Sequence, residues 1–95
     1  MTTSPPQATL DFYRREGCTP CDEARFALQA VMEDRAKRGD PNPRVRYIDV
    51  SADSDLEARF GARVPVLTLG EDELALTLSA RAIAQLLDRN LGRAA

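Results

Sequence analysis

Two thiols three residues apart, in the segment Cys18-Thr19-Pro20-Cys21, are the only cysteines of the chain. A pair at that spacing suits reversible dithiol–disulfide chemistry. Residues i and i+3 share one face of a helix, so their sulfurs meet with little backbone movement when the first stands at the helix end. Exchange needs a thiolate, and the unpaired N–H groups and positive dipole end of a helix N-terminus stabilise one. Cys18 is therefore the expected attacking thiol. Cys21, one turn inside the helix, is the expected resolving thiol, which attacks the mixed disulfide on Cys18 and releases the product. Arg14 and Arg15 bring positive charge towards Cys18, while Glu16, Asp22 and Glu23 lie as near in sequence and oppose it.

Other chemistries find little material. The chain has no histidine, which removes the commonest general base and the usual partner of a serine or cysteine nucleophile. A closed zinc site wants four ligands, mostly Cys and His, so no metal is expected on this chain alone; only a site shared between subunits completes the shell. A purely structural disulfide is a weak alternative, because a four-residue ring restricts the unfolded chain by only about 2 kcal/mol. Net charge is −2, which leaves no basic field for nucleic acid. No segment reaches the about 18 apolar residues of a membrane span, and residues 1–7 lack the pattern of a secretory leader, so a cytoplasmic location is expected. A disulfide would be reduced there by default.

The elements that must position the thiols can be read locally. Ninety-five residues, 43% hydrophobic and 29% charged, suit one domain, residues 1–95, with residues 1–7 as an exposed tail. Residues 9–13 alternate apolar and polar side chains as a half-buried strand does, and Glu16-Gly17 breaks it just before Cys18. Pro20 fits a first helical turn, where its missing N–H leaves no bond unmade. Ala24, Ala27, Leu28 and Val31 then recur at helical spacing, and Arg35, Lys37 and Arg38 before Gly39 mark the end near residue 38. Residues 44–50 read as a second strand, and the crossover length places it parallel to the first. Ser54 and Glu57 read as a capping box for a helix of about two turns that stops at Gly61. Residues 64–69 and 74–77 read as an antiparallel pair around a four-residue charged tip, 70–73. Ser79 caps a last helix that carries Ile83, Leu86, Leu87 and Leu91 on its apolar side.

On the motif Gly17-Cys18-Thr19-Pro20-Cys21 after the first strand, Val64-Pro65 before the third, and this order and size of elements, residues 9–91 resemble the glutaredoxin-like branch of the thioredoxin-fold superfamily. The resemblance implies an α/β fold of order βαβ-α-ββα, a four-stranded mixed sheet with helices on both faces. It implies a cis peptide at Val64-Pro65 beside the dithiol, with the main chain of Val64 receiving an extended substrate. It further implies substrate contacts at Thr19, Pro20 and Pro65, and at Arg15, the basic residue about three before the first cysteine. The activity implied is that of a small thiol–disulfide oxidoreductase with a redox-active Cys18–Cys21 disulfide. It would act as a monomer on protein or small-molecule disulfides and be recycled by glutathione or a protein reductase, with no bound cofactor. A binding module bridging a metal or iron–sulfur cluster through Cys18 is the alternative. The chain departs from the family's pattern in having no tryptophan before the dithiol and Thr77-Leu78-Ser79 where glutathione users carry a Gly-Gly pair.

Overall fold

Alternating side chains, sorted to two faces, build the sheet. A computed structural model describes residues 8–76 and 79–92. β1 (Thr9–Arg14) is followed by α1 (Thr19–Arg38), β2 (Arg44–Asp49), a short 3₁₀ turn (Val50–Ala52), α2 (Ser54–Phe60), β3 (Val66–Leu69), β4 (Asp72–Ala75) and α3 (Ala80–Leu91). The strand order is β2-β1-β3-β4, with β1 and β2 parallel and β3 antiparallel to both β1 and β4. This is the four-stranded mixed α/β sheet that the resemblance implies.

Leu10 and Phe12 of β1 and Leu67 and Leu69 of β3 meet the buried stripe of α1 and the apolar face of α3 in the larger core. On the opposite face Val50, Phe60 and Val66 form a smaller core, with Tyr13 stacked on Phe60 at 4.2 Å between ring centroids. Helices thus cover both faces, as period-2 strands with apolar residues on each side require. Val64 packs against both cores, which places it at the end of the sheet where they meet.

Helix ends follow local chemistry, with one shift. Gly39 adopts the left-handed cap conformation that ends α1, and Ser79 Oγ accepts the Ala82 N–H at 3.1 Å to open α3. In α2, however, the cap is Asp53 and not Ser54: Asp53 Oδ1 accepts from the N–H groups of Asp55 and Leu56. Aspartate and serine are comparable caps, and Glu57, which would complete a box with Ser54, instead points to Arg15.

The hairpin is tighter than its charge pattern suggests. Leu69 pairs with Asp72, so the turn is the two residues Gly70 and Glu71, with Gly70 at φ 61, and the charged Asp72 and Glu73 belong to β4. A two-residue turn with a positive-φ residue first suits the twist of a hairpin. β3 likewise begins at Val66 rather than at residue 64, and β2 ends at Asp49, before the 3₁₀ turn. The end of the expected fourth strand at residue 77, the Thr77-Leu78 pair, the tail 1–7 and residues 93–95 lie outside the described residues.

Asp72 fastens the hairpin to α3. Its Oδ2 accepts from Arg89 Nε at 2.9 Å and Asn90 Nδ2 at 2.8 Å, and these bonds hold its carboxyl below the ordinary aspartate value. A carboxyl whose folded pKa is depressed stabilises the fold above its unfolded pKa of about 3.9 and loses that contribution as pH falls through the lower folded value. Thermal unfolding of Asp72→Asn against the parent chain should therefore show a melting difference that is constant above about pH 5 and closes below about pH 3.9. A difference that persists unchanged at pH 2 would contradict this role.

Candidate active site

The register carries the expected site residues to one end of the sheet. Tyr13 pairs with Val66 and Val66 with Ala75, so the segment after β1, the segment before β3 and the segment after β4 all leave the sheet on the same side. These hold Arg15 to Cys18, Val64-Pro65 and Leu76, respectively. Arg14 pairs with Asp49 in the parallel ladder, so the connection into α2 leaves there as well.

The dithiol is built by a turn and a cap. Gly17 takes φ 77, a left-handed conformation that β-carbon-bearing residues adopt at a cost, and redirects the chain from β1 into α1. Cys18 is the N-cap of α1, with extended φ −94 and ψ 106, and Pro20 lies in the first turn as expected. Cys18 Sγ accepts the backbone N–H of Cys21 at 3.1 Å, while the Cys18 carbonyl accepts the Asp22 N–H at 3.1 Å. Sulfur therefore occupies the position that a serine or aspartate oxygen holds in an ordinary cap. The two cysteines are at disulfide-bonding separation, Cα to Cα 5.2 Å, within the range that a bridge requires. Cys18 is partly exposed, whereas Cys21 is 1% exposed and packs in the larger core. Thr19 is exposed beside them, as is Pro20.

The Val64-Pro65 peptide is cis, as the resemblance implies, and Pro65 is buried. Its carbonyl accepts the N–H of Leu76 at 3.0 Å. Leu76 is a residue that the sequence does not signal: it has φ 71, unusual for leucine, and its side chain is 53% exposed at this end of the sheet.

Arg15 is turned towards α2. Its Nη2 donates to Glu57 Oε1 at 2.5 Å and to the Gly61 carbonyl at 3.0 Å, and the Glu57 bond raises its pKa above the ordinary arginine value. Asp49 is held below the ordinary aspartate value chiefly by the Ser51 hydroxyl and N–H, with the charges of Arg14 and Arg15 adding to the effect. The charge contest around Cys18 is thereby altered. Arg15 is committed to a carboxylate, while Glu16, Asp22 and Glu23 are exposed. Glu57 and Gly61 are 42 and 46 positions from Arg15, a separation at which no local pattern signals their meeting.

Among the described residues no group of three or more His, Cys, Asp or Glu side chains comes together to hold a metal ion, and no helix is long and apolar enough to cross a membrane. A groove of about 420 Å³ lies on the α2 side of the sheet between Phe60 and the hairpin, lined by none of the expected site residues.

The architecture has clear relatives. A structural-genomics target protein from X. campestris is 28% identical and superposes with a TM-score of 0.69 over 84% of this chain and 96% of its own. A mutant thioredoxin from Halobacterium salinarum NRC-1, 23% identical, superposes with a TM-score of 0.63 over 94% of this chain and 79% of its own. A malarial protein, 13% identical, gives a TM-score of 0.64 over 90% and 98%. No curated protein matches the sequence. Fold and helix-capping cysteine pair together define a thioredoxin-fold protein. Residues 9–92 match the model of the glutaredoxin-like domain (DUF836), and the chain belongs to that family.

Proposed function

We propose that this protein is a thiol–disulfide oxidoreductase that reduces or exchanges disulfides through Cys18 and Cys21. The observation that carries the reading is the asymmetry of the pair: one sulfur is partly exposed and receives a backbone N–H, the other is buried behind it. An N–H directed at sulfur favours the thiolate, so Cys18 attacks. The Cys18 thiolate forms a bond to one sulfur of the substrate disulfide, and the other substrate sulfur leaves with the electron pair and takes a proton. Cys21, losing its proton, then attacks Cys18; the Cys18–Cys21 bond forms and the second substrate thiolate departs. The substrate gains two electrons and the protein is left as the disulfide.

Substrate would lie along Thr19, Pro20 and the main chain of Val64, with Pro65 beneath it. Protein and small-molecule disulfides are both accommodated by this scheme, and glutathione or a protein reductase returns the two electrons. No cofactor takes part. A bridged metal or cluster needs a second subunit to supply ligands, and no feature of the site favours it over exchange.

The direct test reduces the protein, removes the reductant and offers a protein disulfide. Both cysteines should be consumed while an equal number of substrate thiols appears, counted by alkylation and mass. A reduced form that leaves the substrate disulfide intact would remove the proposal.

A further inference from the structure

The proposed exchange requires a thiol that reopens the oxidised pair, and the charges around Cys18 bear on which thiol that is. Arg15 is the one cationic side chain between residues 15 and 21, and it is already held by Glu57. The hold is built into α2. Gly61 has φ −55 and ψ −37, a helical conformation open to any residue, so its backbone does not call for glycine. What calls for it is space: a Cβ at residue 61 would stand closer than 3.0 Å to the Glu57 carboxylate and carbonyl. The missing side chain leaves the room in which the Glu57 carboxylate lies against Arg15. The other carboxylate oxygen, Oε2, is buried and meets no hydrogen-bond donor among the described residues, so the group is held from the Arg15 side.

We propose that Glu57 is a specificity-determining residue: by pairing internally with Arg15 it withdraws one of the two neighbouring cations, Arg14 and Arg15, from the field in which Glu16, Asp22 and Glu23 oppose them, and so disfavours anionic thiols such as glutathione as reductants, relative to neutral thiols and protein dithiols. The inference rests on the oxidoreductase reading of the dithiol. In the step concerned, an incoming thiolate bonds to Cys18 sulfur and the Cys18–Cys21 bond breaks, its electron pair and a proton going to Cys21. A second thiolate then attacks the first, releasing the reductant's disulfide and the Cys18 thiolate. Two thiols are oxidised for each pair reduced. Glutathione brings two carboxylates and one ammonium into this field, 2-mercaptoethanol none.

The test compares the rate at which glutathione and 2-mercaptoethanol open the oxidised protein, read by quenched alkylation. Differences in the thiols' own reactivity cancel when the ratio is compared between variants. Glu57→Gln keeps an acceptor for Arg15 and removes the charge. Its glutathione-to-mercaptoethanol ratio should rise about fivefold at low salt, the gain should shrink at high salt, and Glu57→Gln/Arg15→Gln should lose it. An unchanged ratio in Glu57→Gln, or a gain that survives the loss of Arg15, overturns the inference while leaving the oxidoreductase reading intact. Failure of 2-mercaptoethanol itself to open the pair overturns both.

Discussion

Replacing Cys18 by serine is expected to lower disulfide exchange on the order of a thousandfold or more, to the level of the uncatalysed thiol background. Folding should survive, which makes the loss interpretable. The Cys18 side chain caps α1 by accepting the Cys21 N–H, and serine is among the best residues at that position. Only the nucleophile is removed. Cys21→Ser has a different expected outcome, because the partly exposed Cys18 still attacks but nothing resolves the adduct. The variant should accumulate a covalent complex with its substrate, visible as a mass increase that dithiothreitol reverses. Helical content by circular dichroism serves as the control for both. Retained turnover in Cys18→Ser, or trapping by Cys18→Ser rather than Cys21→Ser, would reverse the assignment of roles.

The second large effect concerns stability. Arg35 is fully buried at the end of the apolar stripe Cys21, Ala24, Leu28 and Val31 of α1. Its Nε and Nη2 donate to the Pro41 carbonyl at 3.0 and 2.8 Å, Nη1 to Asp88 Oδ1 at 2.6 Å, and Nη2 again to the Gly92 carbonyl at 2.6 Å. One guanidinium thus ties the end of α1, the loop into β2 and the end of α3 together. Arg35→Met keeps the apolar stem and removes every donor, leaving the Pro41 and Gly92 carbonyls to find other partners and taking the guanidinium from the Asp88 carboxylate. Removing one side of such a network costs about 3 kcal/mol, somewhat less than for a wholly buried pair because the Asp88 side chain is 28% exposed. For a domain of this size that corresponds to a fall of about 12–24 °C in Tm. Denaturant and thermal unfolding of the oxidised protein would measure it. A loss below about 1 kcal/mol would mean that water replaces these bonds at little cost. Arg35→Lys should recover only part of the loss, because an ammonium cannot reach three acceptors in the geometry of the planar fork.

Local features were legible because neighbours in sequence decide them. Pro20 and Cys18 open α1 and Gly39 ends it for reasons contained within a few residues. The structure departs from the local pattern where two local solutions have similar energies. Asp53 and Ser54 are both good caps, and the choice fell to Asp53 with Glu57 drawn away by Arg15. Asp72 reads as part of a charged turn, yet its ties to Arg89 and Asn90 accompany its pairing with Leu69 and a turn of two residues.

The sequence by itself determined the dithiol, its place between strand and helix, and the order βαβ-α-ββα, since each rests on short-range sterics and apolar periodicity. Only the tertiary structure decided what surrounds those sulfurs. Arg15 reads as a free cation until a carboxylate 42 positions away meets it, and Arg35 reads as a helix-end charge until three chain segments close over it. Both outcomes depend on which distant groups the sheet register brings within hydrogen-bonding reach.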